Sequence, residues 1–346
     1  MNTTHRPCIH RLTLALFSVG CLSFGLLAQE ESEHRNRLSV GGRLFFNISA
    51  QIRNLPAPAQ PAGIYDDGFV LSDISGNRGG RTWNWGYLAD NQVVGASPNR
   101  AIDMHRAGSP RDGRIEDLPD DPQYGFDLGY GRDFFRIPLG EKSQIKIGFE
   151  MGFGSSALSL KGEDTITGSV TRRTDRFNLG STVPPLAPYA GTFAGPGPLI
   201  DAAGVAQPDT TATATSQQLS KLEGVFYGFQ IGPFVEIPLP LGLELEVAGG
   251  FAAINVDADF SYNELLTISG TGGPPAPRID KNSESKWITG FYGEAKLSFP
   301  IYYATRLYVG GEYQVLDDFS IRAGSKEATI DFGEALAVKA GVTFSF

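Results

Sequence analysis

Apolar and polar side chains alternate with a period of two along most of the chain, and the pattern is cleanest at its end. From Ala335 to Phe346, the side chains of Leu336, Val338, Ala340, Val342, Phe344 and Phe346 share one face of an extended strand. Ala335, Ala337, Lys339, Gly341, Thr343 and Ser345 share the other. The same alternation predicts seven strands upstream. The first places Val40, Gly42, Leu44, Phe46, Ile48 and Ala50 on one face, and the second runs from about Tyr124 to Ile137. In the third, Ile145, Ile147, Phe149, Met151 and Phe153 oppose Lys146, Gly148, Glu150 and Gly152; in the fourth, Val225, Tyr227, Phe229, Ile231 and Val235 share a face. The fifth sets Leu243, Leu245, Val247, Gly249 and Phe251 against Glu244, Glu246, Ala248 and Gly250. In the sixth, Phe291, Gly293, Ala295, Leu297 and Phe299 oppose Tyr292, Glu294, Lys296 and Ser298, and in the seventh Leu307, Val309, Gly311, Tyr313 and Val315 oppose Tyr308, Gly310, Glu312 and Gln314.

The connections alternate in length. Short turns are expected at Pro138–Lys142, Pro238–Gly242 and Tyr302–Thr305, and long excursions at 53–122, 181–208 and about Glu264–Ser285, with a shorter loop near Gly324. The first excursion far exceeds the usual length of about 4–6 residues, which marks it as functional or partly ordered. Thr165–Arg176 continues the third alternation with charge on both faces, as expected of a strand projecting past the region where its apolar face is covered.

Eight strands, each apolar on one face, close into an antiparallel up-and-down barrel in one of two ways. A soluble barrel turns its apolar faces inward; a membrane barrel turns them outward to acyl chains, because strands cross lipid only when every backbone group is paired. Three features favour the second: aromatics near strand ends (Phe299, Tyr302, Tyr303, Phe344, Phe346), many glycines on the polar face, and opposite charges on that face. Arg43, Lys146, Lys296 and Lys339 would meet Asp127, Glu150, Glu244, Glu246, Glu294 and Glu312 across the interior. Side chains fill a barrel of eight strands, so a plug of ion pairs is expected there in place of a channel. An alternative of ten or more strands, a small porin or transporter, follows if Thr165–Arg176 and parts of Asp66–Leu88 also cross.

Composition agrees with turn-rich β structure: glycine numbers 43 and phenylalanine 23, and the two cysteines are Cys8 and Cys21. The start reads as a secretory leader, residues 1–28, with a basic segment (His5, Arg6, His10, Arg11), an apolar segment from Leu12 to Leu27 and small Ala28 before cleavage. Ser18-Val19-Gly20-Cys21 offers a second reading, with Cys21 as a lipidated terminus. The mature chain, 29–346, then lacks cysteine. Losing Arg6 and Arg11 from the 29 basic residues leaves 27 against 38 acidic, a net charge of −11, which disfavours nucleic-acid binding.

The terminal run Lys339-Ala340-Gly341-Val342-Thr343-Phe344-Ser345-Phe346 resembles the C-terminal signal of bacterial outer-membrane β-barrels at its four marked positions: Lys339, Gly341, Phe344 and Phe346. With the leader and the strand pattern, the mature chain outside its long excursions resembles the small eight-stranded outer-membrane-protein-A-like barrels. That resemblance implies residence in the cell outer membrane, lipid contact around the wall, delivery to the barrel-assembly machinery through the terminal strand, and termini in the periplasm. It implies location better than activity, and the expected role is structural or one of surface recognition.

Candidate chemistry is sparse, and neither enzymatic activity nor a cofactor or metal is expected. After the leader only His34 and His105 remain, too few for a multi-histidine metal site. Asp103, His105 and Ser109 could be assembled as a hydrolase or acyltransferase at the outer rim, though their spacing does not demand it. Asp73-Ile74-Ser75-Gly76-Asn77, with Asp66 and Asp67 nearby, has the oxygen density of a calcium loop but lacks the closing glutamate, so a turn is the simpler reading. Trp83, Trp85 and Tyr87 form the densest aromatic cluster. It is a candidate for stacking on a glycan or protein ligand, or for packing the loop onto the rim.

Overall fold

In a computed structural model the described residues are 35–55, 61–118, 122–139, 143–269 and 276–346. The leader, both cysteines and His34 lie outside them, as do residues 140–142 of the Pro138–Lys142 turn. We number the principal strands in chain order: β1 Asn36–Phe46, β2 Ser49–Asn54, β3 Gly68–Val70, β4 Trp85–Tyr87, β5 Arg100–Ala107, β6 Ile115–Leu118, β7 Gln123–Pro138 and β8 Gln144–Gly180. There follow β9 Thr210–Pro238, β10 Glu244–Ile268, β11 Ala276–Tyr302, β12 Thr305–Leu316, β13 Phe319–Ala323, β14 Lys326–Asp331 and β15 Ala335–Ser345.

Antiparallel pairing runs β1-β7-β8-β9-β10-β11-β12-β15 and returns to β1, closing a ring through eight strands. These are the eight strands that the alternation predicts. The first and last join directly: Val40 pairs Val342, and the Phe346 N–H donates to the Asn36 carbonyl at 2.8 Å. Ring closure leaves no free edge where these strands meet. The short turns and the chain end lie at one rim, termed lower here, and the long connections at the other.

The four strands β8 to β11 rise well past the others, pairing with one another as far as Arg172–Thr210 and Leu266–Ala276. The Thr165–Arg176 segment is therefore a continuation of β8, and β5 pairs onto its tip. Most of the Glu264–Ser285 excursion is likewise strand, belonging to the tops of β10 and β11. A second sheet, β13-β14-β2-β6, sits inside this raised wall, and its hairpin turns at Gly324. The first excursion is thus substantially structured, with β3 and β4 paired beside a short strand at Tyr189–Ala190.

Polarity of the two faces changes partway up. In β10 the outward side chains are Val247, Phe251 and Ala253 below, then Asn255, Asp257, Asp259 and Ser261 above; the buried inward ones are Glu246 and Ala248 below, then Ile254, Val256, Ala258 and Phe260. The neighbouring strand β9 repeats it, with Tyr227, Phe229 and Ile231 outward below and Glu223, Lys221 and Gln217 outward above. The inner apolar residues of the upper part, among them Phe226, Phe260, Ile52, Phe319 and Ile330, form one core between the raised wall and the inner sheet.

One sequence expectation is overturned in β1. Ile48 and Ala50 do not continue the outward face of Val40 and Leu44; both are buried inward, in the upper core. The cause is Asn47, whose φ of 58° places it in the left-handed region and turns the chain between β1 and β2, shifting the phase of the alternation. Asparagine tolerates that conformation and β-branched residues do not. Asn47→Val is therefore expected to lower unfolding free energy by about 1–2 kcal/mol while Asn47→Gly stays near wild type, as urea unfolding followed by tryptophan fluorescence will measure.

Candidate functional site: a polar lumen beneath a structured head

The lower half of the ring encloses two linked ion clusters. Lys339 sits at 2 % exposure on β15, where its Nζ reaches Glu294 Oε2 at 2.6 Å and Asp127 Oδ1 at 3.2 Å and also engages Glu312. The adjacent Lys296 joins Glu294 at 2.5 Å, Glu246 at 2.8 Å and Glu150 at 3.5 Å. Below these, Arg37 lies against Glu150 at 3.0 Å, Glu236 at 3.2 Å and Glu246, and its guanidinium covers the Phe234 ring at 3.6 Å. Lys146 completes the floor with Glu236 at 2.5 Å and Glu244 at 3.5 Å; Arg306 binds Glu244 at 2.9 Å. Arg43 is more loosely held, 4.0 Å from Asp127 and donating to Ser156 Oγ at 3.2 Å.

Each expected lumen residue (Arg43, Lys146, Glu150, Glu294, Lys296, Glu312 and Lys339) lies on this inner face. Sequence reasoning missed Arg37, Glu236 and Arg306. Arg37 shares the inward phase of Arg43, so starting the first strand three residues earlier would have found it. Glu150, Glu246 and Glu294 bring carboxylate oxygens within 4.8 Å of one another, as a metal site would, but Lys296 reaches all three and Arg37 reaches two of them. The cluster carries its own counter-charges. Above the ions, the apolar core that includes Phe45, Phe226 and Phe332 fills the interior.

The terminal-signal residues have structural work of their own. Gly341 pairs with Gly41, and a Cβ on Gly341 would stand 2.2 Å from the Val40 carbonyl and 2.8 Å from the Tyr308 hydroxyl. The bare backbone leaves room for the Tyr308 hydroxyl, which a Cβ on Gly41 would meet at 2.2 Å. Phe344 and Phe346 are about half exposed on the outer surface at the lower rim, beside Tyr302 and Tyr303.

In the head, the aromatic cluster divides. Trp85 and Tyr87 are wholly buried, packed with Tyr189, Ile102 and Phe177; Trp85 donates to the Pro198 carbonyl and Tyr87 to that of Pro185. Ligand stacking by these two is thereby excluded, because alternation in β4 and the crossing 189–190 strand put both rings inside. Trp83 alone keeps exposed area, its indole N–H donating to the Phe193 carbonyl at 3.4 Å.

Nor are Asp103, His105 and Ser109 brought together. Asp103 takes a two-pronged bond from Arg176, and Ser109 Oγ donates to Glu264 Oε1 at 2.5 Å. His105 Nδ1 instead lies 2.5 Å from Asp67, whose other oxygen accepts the His105 backbone N–H. Asp73 behaves as a turn residue. Its Oδ1 accepts from the Ser75 backbone and hydroxyl and its Oδ2 from Trp83 N–H, and although burial pushes its carboxyl up, these donors hold it below its ordinary value. Glu264 is likewise held low: Lys326 at 3.3 Å and the hydroxyls of Ser109 and Ser216 outweigh the upward push of burial.

No family model matches the chain, and no curated protein matches it. Among solved structures it is similar to the outer membrane protease OmpT from Escherichia coli, at 9 % identity and a TM-score of 0.28 over 92 % of this chain and 99 % of that one. It is also similar to the transport unit of the autotransporter AIDA-I from Escherichia coli (8 %, 0.17, 94 % of each chain). A third is a Pseudomonas aeruginosa FadL homologue (10 %, 0.20, 90 % of each). All three TM-scores are low, and none of these likenesses bears on what the chain does.

Proposed function

We propose that this chain is an integral β-barrel of the bacterial outer membrane, of eight strands, with a closed lumen and a structured head on the cell surface that carries recognition. One observation supports this above the rest: on the same strands, the outward side chains change from mostly apolar to mostly polar, and the inward ones from mostly charged to mostly apolar, at one height. A single solvent around the whole ring would leave that reversal without a cause. Acyl chains around the lower part and water around the upper part account for it, and the outward apolar stretch of β10, Leu245 to Ala253, has about the 9–11 residues a tilted strand needs to cross hydrocarbon. On this reading Lys339, Gly341, Phe344 and Phe346 present the terminal strand to the barrel-assembly machinery, and the head meets a glycan or protein ligand.

Conduction is the property that separates this reading from a small porin or transporter. The ion clusters and the apolar core above them stand across the path, so purified protein in a planar bilayer is expected to give no steady open-pore current. Reproducible ohmic steps would overturn the closed lumen while leaving the membrane location intact. The rim-hydrolase reading retains the His105–Asp67 pair as its support, and loss of a lipid- or peptide-hydrolysing activity on His105→Ala would establish it.

A further inference from the structure

The outer wall of the ring carries a groove of about 710 Å³ that crosses β7, β8, β9 and β10. Two rows of outward side chains form its banks. Pairing sets Leu128 beside Phe153 and Phe153 beside Phe229 above, and Tyr130 beside Met151 and Met151 beside Ile231 below. The upper bank is continuous: the Phe153 and Phe229 ring centroids are 5.0 Å apart, and Phe126 and Trp287 extend the run at 5.9 Å on either side. Between the banks Gly129 pairs with Gly152, and both show only backbone. The upper bank ends on β10 at Ala253, which pairs with Phe229.

The groove also climbs. From Arg35, whose carbonyl accepts the Asp133 N–H, pairing followed strand by strand from β7 to β15 reaches Phe45 of β1, ten residues higher. A row across the strands therefore rises from β7 toward β10, and the β7 end of the groove lies nearest the lower rim. A second observation lies at that low end. Arg132, next after Tyr130 on the outward face of β7, is exposed and has no ion pair among the described residues; the neighbouring Asp133 is engaged by Arg136 at 2.6 Å. Arg132 pairs with Asn36, whose carbonyl accepts the terminal Phe346 N–H, so the cation sits level with the chain end.

We propose that the groove and Arg132 together hold one phospholipid of the lower leaflet, with an acyl chain between the banks and the phosphate on the Arg132 guanidinium. The inference rests on the reading of the lower ring as embedded in a membrane. An arginine on a lipid-facing wall is costly unless it reaches the interface, where a phosphate supplies its counter-charge. The chain attached to that phosphate enters the groove at its low end and rises with it. A second copy of this protein fits less well, because a two-fold contact over the same surface would bring two Arg132 side chains together with no anion between them.

The test is native mass spectrometry of the full-length protein in detergent, titrated with phosphatidylglycerol and with diacylglycerol carrying the same palmitoyl and oleoyl chains. One phosphatidylglycerol is expected to be retained per chain, and diacylglycerol to bind at least about ten-fold more weakly. Arg132→Gln is expected to abolish that preference and leave diacylglycerol binding unchanged, whereas Ala253→Trp, which fills the upper end of the groove, should weaken both. Val309→Trp, outward on β12 across the ring, adds the same bulk away from the groove and should change neither. Equal retention of the two lipids by wild type, an equal loss in Val309→Trp, or a dimer that excludes phosphatidylglycerol would overturn the site and leave the membrane location intact. The heat-modifiable gel shift in phosphatidylcholine vesicles reads that location separately, and a chain that fails to insert would overturn both.

Discussion

Replacing Lys339 by methionine is expected to lower the stability of the folded ring by about 3–5 kcal/mol. The ammonium is the shared counter-charge of Glu294, Glu312 and Asp127; its loss leaves the fully buried Glu312 without a cation, while Glu294 keeps Lys296 and Asp127 keeps only Arg43 at 4.0 Å. Such a loss is a large part of the roughly 5–15 kcal/mol that holds a typical domain together. Urea unfolding in micelles, with the heat-modifiable gel shift as a second readout, should show a large fall in midpoint. Adding Glu312→Gln to Lys339→Met should return part of the loss, because a neutral amide can still accept from Gln314, which now donates to Glu312 Oε1 at 2.5 Å. If the single variant unfolds like wild type, the interior ions contribute nothing and the plug is ornamental.

Val338→Arg should cost about 2–4 kcal/mol, the penalty for a cation on a barrel's lipid face near the midplane. Val338 points outward, 44 % exposed, one position from Lys339 on the opposite face, and lies in a row with Gly311, Ala295 and Val247. In water an exposed valine would accept arginine for about 0.5 kcal/mol or less. Asn263→Arg, also outward but high on β10, provides that comparison within one protein and is expected to be neutral. The urea midpoints of the two variants in lipid bilayers measure the difference between the two surroundings.

The eight ring strands were legible in the sequence because period-two alternation survives wherever the two faces of a strand meet different surroundings. What hid the rest was a change of those surroundings along one strand. Above Ile254 in β10 the outward residues turn polar, which reads as a loop in Glu264–Ser285 although 264–268 and 276–285 are strand. Asn47 concealed a phase shift, since apolar residues on either side of a single asparagine look like an unbroken strand. Trp85 and Tyr87 were recognised as a cluster but not as a core, because the strand that covers them lies about a hundred residues away. His105 found Asp67 and not Asp103 for the same reason: Asp103 faces Arg176 across β5 and β8, a pairing that sequence distance does not reveal.

Two solvents meeting the outer surface at one height should be visible residue by residue in a nitroxide scan from Val247 to Asn263 of β10 in bilayers. Outward labels at 247, 251 and 253 should collide with oxygen and be shielded from a water-soluble nickel chelate, and those at 257, 259 and 261 should show the opposite, with inward positions protected from both. Outward labels that all collide freely with the nickel chelate, from bottom to top, would contradict a membrane around the lower ring.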